Sequence, residues 1–336
     1  MNWTRKLAPH RSPTVWRSLW QIANSAIPFA ALWFLMVQSL AWPYWTTLLL
    51  SVPTAALMVR LFIIQHDCGH GSFFRSQVAC DYVGRVIGVL TLTPYQYWKR
   101  EHAIHHATSG LLDKRGHGDI DTLTVEEYRS LSAFARFRYR LYRHPLVLFL
   151  VGPAFQFLVI QRLPLNAPPA TRAGWWSVMG TNLAIALVVT VMILTVGAKR
   201  FLLVQLPITL VASSLGVWLF YIQHQYEETY WRNKPEWKYA DAALRGSSWY
   251  DLGPVLQWFS GNIGLHHIHH LNSKIPNYRL QRCLDSIPEL ENVTRLTLLP
   301  SLKCARLTLW DEAEQKLVGF GAVKDAVLAG GERTGT

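Results

Sequence analysis

The stretch "WWSVMGTNLAIALVVTVMILTVGAKRFLLVQLPITLVASSLGVWLFYIQH", Trp175 to His224, runs for 50 residues with its two charges, Lys199 and Arg200, side by side near the middle. A helix rises about 1.5 Å per residue, so about 20 apolar residues cross roughly 30 Å of hydrocarbon. The stretch is therefore long enough for two crossings, at about 175–197 and 201–223, turned by "GAKR" at 197–200. It reads as a membrane hairpin that returns to its starting side and ends on a histidine.

A second hairpin lies upstream, at about 22–41 and 44–64. Its turn is "AWPYW", where Pro43 breaks the helix and Trp42, Tyr44 and Trp45 suit a membrane interface. The composition agrees: 336 residues with 50% hydrophobic and 16% charged residues and 15 Trp are too apolar for an ordinary soluble domain. Arg60 lies near the end of its helix, where its stem can bury while the guanidinium snorkels to water. The run at 146–161 is shorter than a comfortable span and carries Gly152-Pro153 at its centre, so it reads as re-entrant or interfacial. The segment 83–97 is shorter still and reads as one surface-lying helix. No domain boundary, tandem repeat or cleavable signal peptide is visible. The expectation is one membrane domain over 1–320 with its basic N-terminus retained, then a tail at 321–336 whose "AGGERTGT" is disordered.

Charge gives the orientation. Lys and Arg crowd the N-terminal arm (Arg5, Lys6, Arg11, Arg17), the loop after residue 64 (Lys99, Arg100, Lys114, Arg115, Arg136, Arg138, Arg140, Arg143) and the C-terminal region, which places them in the cytoplasm. The net charge of +12 then calls for anionic lipid headgroups and no nucleic acid. Cys68, Cys80, Cys283 and Cys304 show no metal-ligand spacing and are expected as reduced thiols.

Against that topology the histidines fall into boxes: His66 and His70 in "HDCGH", His102, His105 and His106 in "HAIHH", His224 in "IQHQYEE", and His266, His267, His269 and His270 in "GLHHIHHLN". Spacings of three and four put imidazoles on one helical face. Starting inside, each hairpin goes out and returns, delivering His66 and His224 to the same side. If 146–161 does not cross, every box meets at one membrane face. His267 points about 100° from His266 on a helix and is read as supporting or incidental. His10, His117 and His144 stand alone and are read as ordinary core or capping residues.

Nine imidazoles exceed the coordination of a single ion, and imidazole suits Fe, Zn, Cu or Ni, so two metals are implied. Metal-bound imidazoles usually donate their second N–H to a carboxylate or carbonyl; Asp67, Glu101, Glu227 and Glu228 flank the boxes as candidates, with solvated surface charge as the plain alternative. Asn262, one turn before His266, can hold a metal-bound water, and Cys68 reads as a small packing residue. Phe73, Trp98, Trp249 and Trp258 can line a substrate channel or simply be core and interface aromatics.

The stretches "HDCGHGSFF", "HAIHHATSG", "GDIDTLTVEEY", "HQYEETYW" and "ALRGSSWYDLGPVLQWFSGNIGLHHIHHLNSKIPNYRL" resemble the integral-membrane fatty acid desaturases, in particular the omega-6 (delta-12) type of bacteria and plastids, over roughly residues 15–310. The resemblance implies a non-haem di-iron centre that uses O₂ as co-substrate and two electrons to desaturate an acyl chain. Its ligands carry over to His66, His70, His102, His105, His106, His224, His266, His269 and His270; Asp67, Glu101 and Asn262 stay candidates read from the residues themselves. The short H-x-x-x-H first box departs from the acyl-CoA delta-9 subgroup. Breaking a methylene C–H bond needs a redox-active metal, which agrees with the resemblance.

The expected fold is therefore all-α and integral to the membrane: four transmembrane helices in two hairpins under a cytoplasmic helical cap that carries a histidine-ligated dimetal site. The expected reaction is insertion of a cis double bond into a lipid-linked monounsaturated C18 chain, in the bacterial inner membrane. A di-iron hydroxylase or ketolase keeps the same boxes; a histidine-rich metal transporter would need ligands near the bilayer midplane, and these cluster at helix ends. The sequence carries no flavin, nicotinamide, Fe–S or haem motif, so electrons must come from a separate ferredoxin or cytochrome b5-like donor with its reductase. The expected dock is Lys99, Arg100, Lys114 and Arg115, although membrane-orienting charge explains them equally well.

Overall fold

The computed structural model describes residues 2–116, 118–164 and 171–323; His117 and the tail segment "AGGERTGT" lie outside them. Among the described residues four helices are each long and apolar enough to span a membrane: Val15–Ser39, Trp45–His70, Arg172–Val196 and Ala198–His224. They pair as the two expected hairpins. Pro28, Pro53 and Pro207 sit inside three of them without ending the helix, as neighbouring membrane helices permit.

The second helix differs from the expected 44–64 in a way that matters. It continues to His70, so both histidines of the first box ride on the membrane helix itself. "HDCGH" lowers the hydropathy yet contains nothing that stops a helix, and the stop comes at Gly71, whose φ of 63° is the left-handed cap glycine adopts without strain. This helix is also the pillar of the fold. Ala55, Met58 and Val59 pack with Met36 of the first helix and with Val204, Ile208 and Ala212 of the fourth.

Arg60 corrects the snorkelling expectation. It is buried at 6% exposure, donates from Nε to Ser25 Oγ (3.1 Å) and from Nη1 to the Trp258 carbonyl, and lies 4.0 Å over the Trp258 ring. Partners from two other segments are close enough that the guanidinium has no need to reach water.

The segment 83–97 is likewise not one helix. Gln77–Leu90 ends at a turn where Leu92 has φ 56°, and Tyr95–Thr108 begins after Pro94. The proline ring biases the preceding residue away from helix and has no N–H to continue the ladder. On Gln77–Leu90, Val78, Tyr82, Val86 and Leu90 recur every fourth residue and are exposed, a stripe suited to lying in a membrane interface.

The run at 146–161 is a π-turn at Val147–Val151 followed by Gly152–Leu158, set at 56° to the helix Ala133–Tyr142. The start of the third membrane helix lies against the start of the helix that carries the second histidine box, with Tyr97 N–H donating to Ser177 Oγ (3.2 Å). The chain therefore leaves His70 and begins the third helix at the same end of the molecule. Around this helical framework the described residues add two small sheets: Leu123–Thr124, Leu309–Asp311 and Lys316–Val318, and the parallel pair Trp249–Asp251 and Arg295–Thr297.

Candidate metal centre

Four segments deliver the imidazoles. Trp45–His70 supplies His66 and His70, Tyr95–Thr108 supplies His102, His105 and His106, Ala198–His224 ends on His224, and the short helix His266–Leu271 supplies His266, His269 and His270. They sort into two groups within which ligand nitrogens lie within 4.8 Å of one another: His66, His70, His102, His106 and His269, and His105, His224, His266 and His270. Helical periodicity makes the split. His102 and His106 are four apart and share a face, whereas His105 points to the other group. The two groups touch where the His106 and His270 rings stack, 4.1 Å between centroids.

The Nε2 atoms converge. His106 Nε2 lies 3.2 Å from that of His102 and 3.0 Å from that of His269; His224 Nε2 lies 3.2 Å from that of His105 and 3.0 Å from that of His266. Two nitrogens each about 2.1 Å from one ion and at right angles to each other are about 3.0 Å apart, so this spacing suits ligation. His70 Nε2 and His270 Nε2 are buried without a hydrogen-bond partner, which is costly unless something electrophilic occupies the space they face. Burial first, and the neighbouring imidazoles second, hold His102, His106, His269 and His270 well below the ordinary histidine range. At neutral pH these rings are uncharged and keep the lone pair a metal needs. The donor set thus fits two metal ions.

Behind the converging nitrogens, Nδ1 atoms are held from outside. Asp67 Oδ1 lies 3.2 Å from His66 Nδ1, while its Oδ2 accepts from the Asn277 N–H (2.6 Å) and from Asn277 Nδ2 (2.8 Å). His105 Nδ1 is met by Asp119 Oδ1. His224 Nδ1 is met by the Gly246 carbonyl at 2.9 Å. Asp67 was singled out from sequence; Asp119 was not, because it lies in a loop 14 residues beyond His105, where no helical spacing points to it. Glu227 and Glu228 are exposed, and a backbone carbonyl takes the place expected for them. Glu101 is half-buried beside His102.

Asn262 takes up φ 58° in the turn before the third box, and its side-chain amide donates to the Asn277 carbonyl (3.2 Å). His267 is fully buried and belongs to neither ligand group. His10 is buried beside Ser286 Oγ (3.1 Å) and His144 Nδ1 accepts from the Leu146 N–H (3.3 Å), both ordinary structural roles. Of the aromatics, Trp98 reaches the site, stacking on His102 with 4.7 Å between centroids. Phe73 packs on Phe74 and Tyr278, Trp249 lies under Arg295, and Trp258 under Arg60. All four cysteines are free and buried.

The family model for fatty acid desaturases matches residues 40–290. A fatty acid desaturase of Bacillus subtilis (strain 168) is 45% identical over 321 residues, covering 96% of this chain and 91% of that protein. Two proteins of Synechocystis sp. are more distant: an sn-1 oleoyl-lipid 12-desaturase is 25% identical over 70% of this chain and 66% of its own length, and an sn-1 acyl-lipid omega-3 desaturase (ferredoxin) is 29% identical over 69% and 64%.

Proposed function

The chain belongs to the fatty acid desaturase family, membrane oxidoreductases acting on fatty acids, and from that premise we propose that it inserts a cis double bond into an acyl chain carried by a membrane lipid. The observation that carries the reading is the pair of imidazole groups at one end of the membrane helices. Two iron ions held there would supply the O₂-derived oxidant that C–H cleavage requires. The nine imidazoles would hold the ions. Asp67, Asp119 and the Gly246 carbonyl fix ring orientation from behind, so that little rearrangement accompanies turnover. Burial of the second group excludes water from the reacting carbons.

Regiochemistry follows the resemblance. The reading is omega-6 (delta-12) desaturation of a monounsaturated C18 chain, supported by the distant relative named as an oleoyl-lipid 12-desaturase; the relative named as an acyl-lipid omega-3 desaturase supports the lipid-linked substrate alone. The same reading takes electrons from a separate carrier, and the basic loops support a site on the cytoplasmic side of a bacterial inner membrane. The test is expression in a host lacking polyunsaturated lipids, with fatty acid profiling and location of the double bond. Linoleoyl product from oleoyl lipid is expected. A double bond made only in saturated chains refutes the regiochemistry, and a hydroxylated product refutes desaturation.

A further inference from the structure

Two of the four basic residues expected to receive an electron carrier are committed to ion pairs. Lys99 is paired with Asp81 at 2.9 Å. Arg115 is paired with Glu127 and also donates to the Leu112 and Thr122 carbonyls, which makes it a structural clamp. Arg100 reaches toward Thr171 Oγ1 (3.4 Å) at the start of the third membrane helix. Arg100 and Lys114 are exposed without an ion pair among the described residues.

Other cations surround the metal centre. The Lys234 N–H donates to Asp113 (2.9 Å), which brings Lys234 beside Lys114. Lys238 follows in the same exposed loop, and Lys274 Nζ sits 2.6 Å from the carbonyl of His70. Lys114, Lys234, Lys238 and Lys274 are all exposed, and none is in an ion pair among the described residues. Within this collar lies Tyr239, 47% exposed, whose hydroxyl donates to the carbonyl of His270 at 2.5 Å. Its neighbour Trp237, edge-on at 6.3 Å, donates from Nε1 to the Ser109 carbonyl (3.0 Å) just beyond the second box. A surface aromatic ring is thus one hydrogen bond from the backbone of a residue in the second imidazole group.

We propose that the collar of Lys114, Lys234, Lys238 and Lys274 docks an acidic one-electron carrier protein, whose redox group then rests against Tyr239, with His270 as the way in. The proposal rests on the desaturase reading for the need of electrons; the surface itself is read from exposure and charge. Each docked carrier is oxidised by one electron. Two successive carriers supply two electrons and solvent two protons which, with two electrons and two protons from the acyl chain, reduce one O₂ to two waters as –CH₂–CH₂– becomes –CH=CH–. Unpaired lysines at a rim steer an acidic partner and make its binding fall with salt.

The test is binding of a plant-type [2Fe–2S] ferredoxin to the full chain in lipid nanodiscs, with metal and without. The Lys234→Glu/Lys238→Glu double variant is expected to weaken binding about tenfold or more at low ionic strength, with the gap closing as salt shortens the Debye length to about 3 Å at 1 M. Lys199→Glu, at the opposite end of the fourth helix, should leave binding unchanged. Tyr239→Phe should slow reduction by ferredoxin and leave reduction by dithionite as it was. Unaltered affinity in the double variant, salt-independent binding, or no binding of ferredoxin overturns the docking surface. Product analysis is separate: collar-dependent binding without any double bond would defeat the desaturase reading alone, and double bonds with a silent collar would defeat the docking surface alone.

Discussion

Replacing Asp119 with alanine should unbalance the two imidazole groups. The carboxylate holds Nδ1 of His105, which belongs to the four-histidine group, and touches none of the five ligands of the other. Loss of such a supporting partner typically costs 10–100-fold in metal affinity, about 1.4–2.7 kcal/mol at roughly 1.36 kcal/mol per decade. The His105 ring is completely buried, so water does not readily take the carboxylate's place. An unsatisfied buried N–H adds a penalty of about 1–3 kcal/mol, which pushes the expected effect to the upper end of that range. The assay is anaerobic titration of metal-free full-length protein with buffered Fe(II), reading iron bound per chain. Unaltered protein should fill two sites; in Asp119→Ala one should keep its affinity while the other weakens about 100-fold. Asp119→Asn, whose amide oxygen can still accept, should fall between. If both sites weaken together, or neither does, the division into two separately supported groups is wrong.

Arg60→Met should lower stability in detergent by about 2 kcal/mol, because the Trp258 carbonyl loses its donor and the ring its cation, offset in part by removing a buried charge; an unchanged unfolding midpoint would mean that the guanidinium reaches water after all. Gly84→Ala should cost about 1–3 kcal/mol, since its Cβ would lie 2.2 Å from the Tyr95 ring, which is tethered to Asp81 at 3.0 Å. A normal melting curve would show that the ring swings free. Single cysteines at Ser76 and Lys199 are both exposed and should label from opposite sides of the membrane in intact cells, against a background of four buried native thiols. Equal accessibility contradicts the hairpin topology.

The four spans were legible because each is a long apolar run, with Arg60 the one charge within them, and the meeting of the boxes followed from counting crossings. What escaped the sequence depends on distance along the chain. Arg60 meets Trp258, 198 residues away, and no local pattern announces that pairing. Asp119 reaches His105 from a loop, outside any helical repeat. The second helix was cut short because a hydropathy window falls at polar residues, whereas the helix itself ends only where the backbone turns left-handed at Gly71. Conversely, Pro94 lies within 83–97 in the sequence itself, and a proline at that position is enough to divide the segment.

The third membrane helix has a consequence of its own. Only Val178, near its start, is buried, while Leu183, Leu187, Val191 and Leu194 face outward. Bilayer thickness acts on a protein by tilting its spans, at fractions of a kcal/mol per Å of mismatch. The first, second and fourth helices share a core and resist such tilting together, whereas the third is hydrogen-bonded through Ser177 and Asn182 in its first half and beyond that is tied to the fourth helix through Gly197, so its middle can lean like an outrigger. It carries no ligand, so its leaning leaves the imidazoles in register. An enzyme whose product softens and thins its own solvent is thereby expected to keep its geometry as the membrane around it changes.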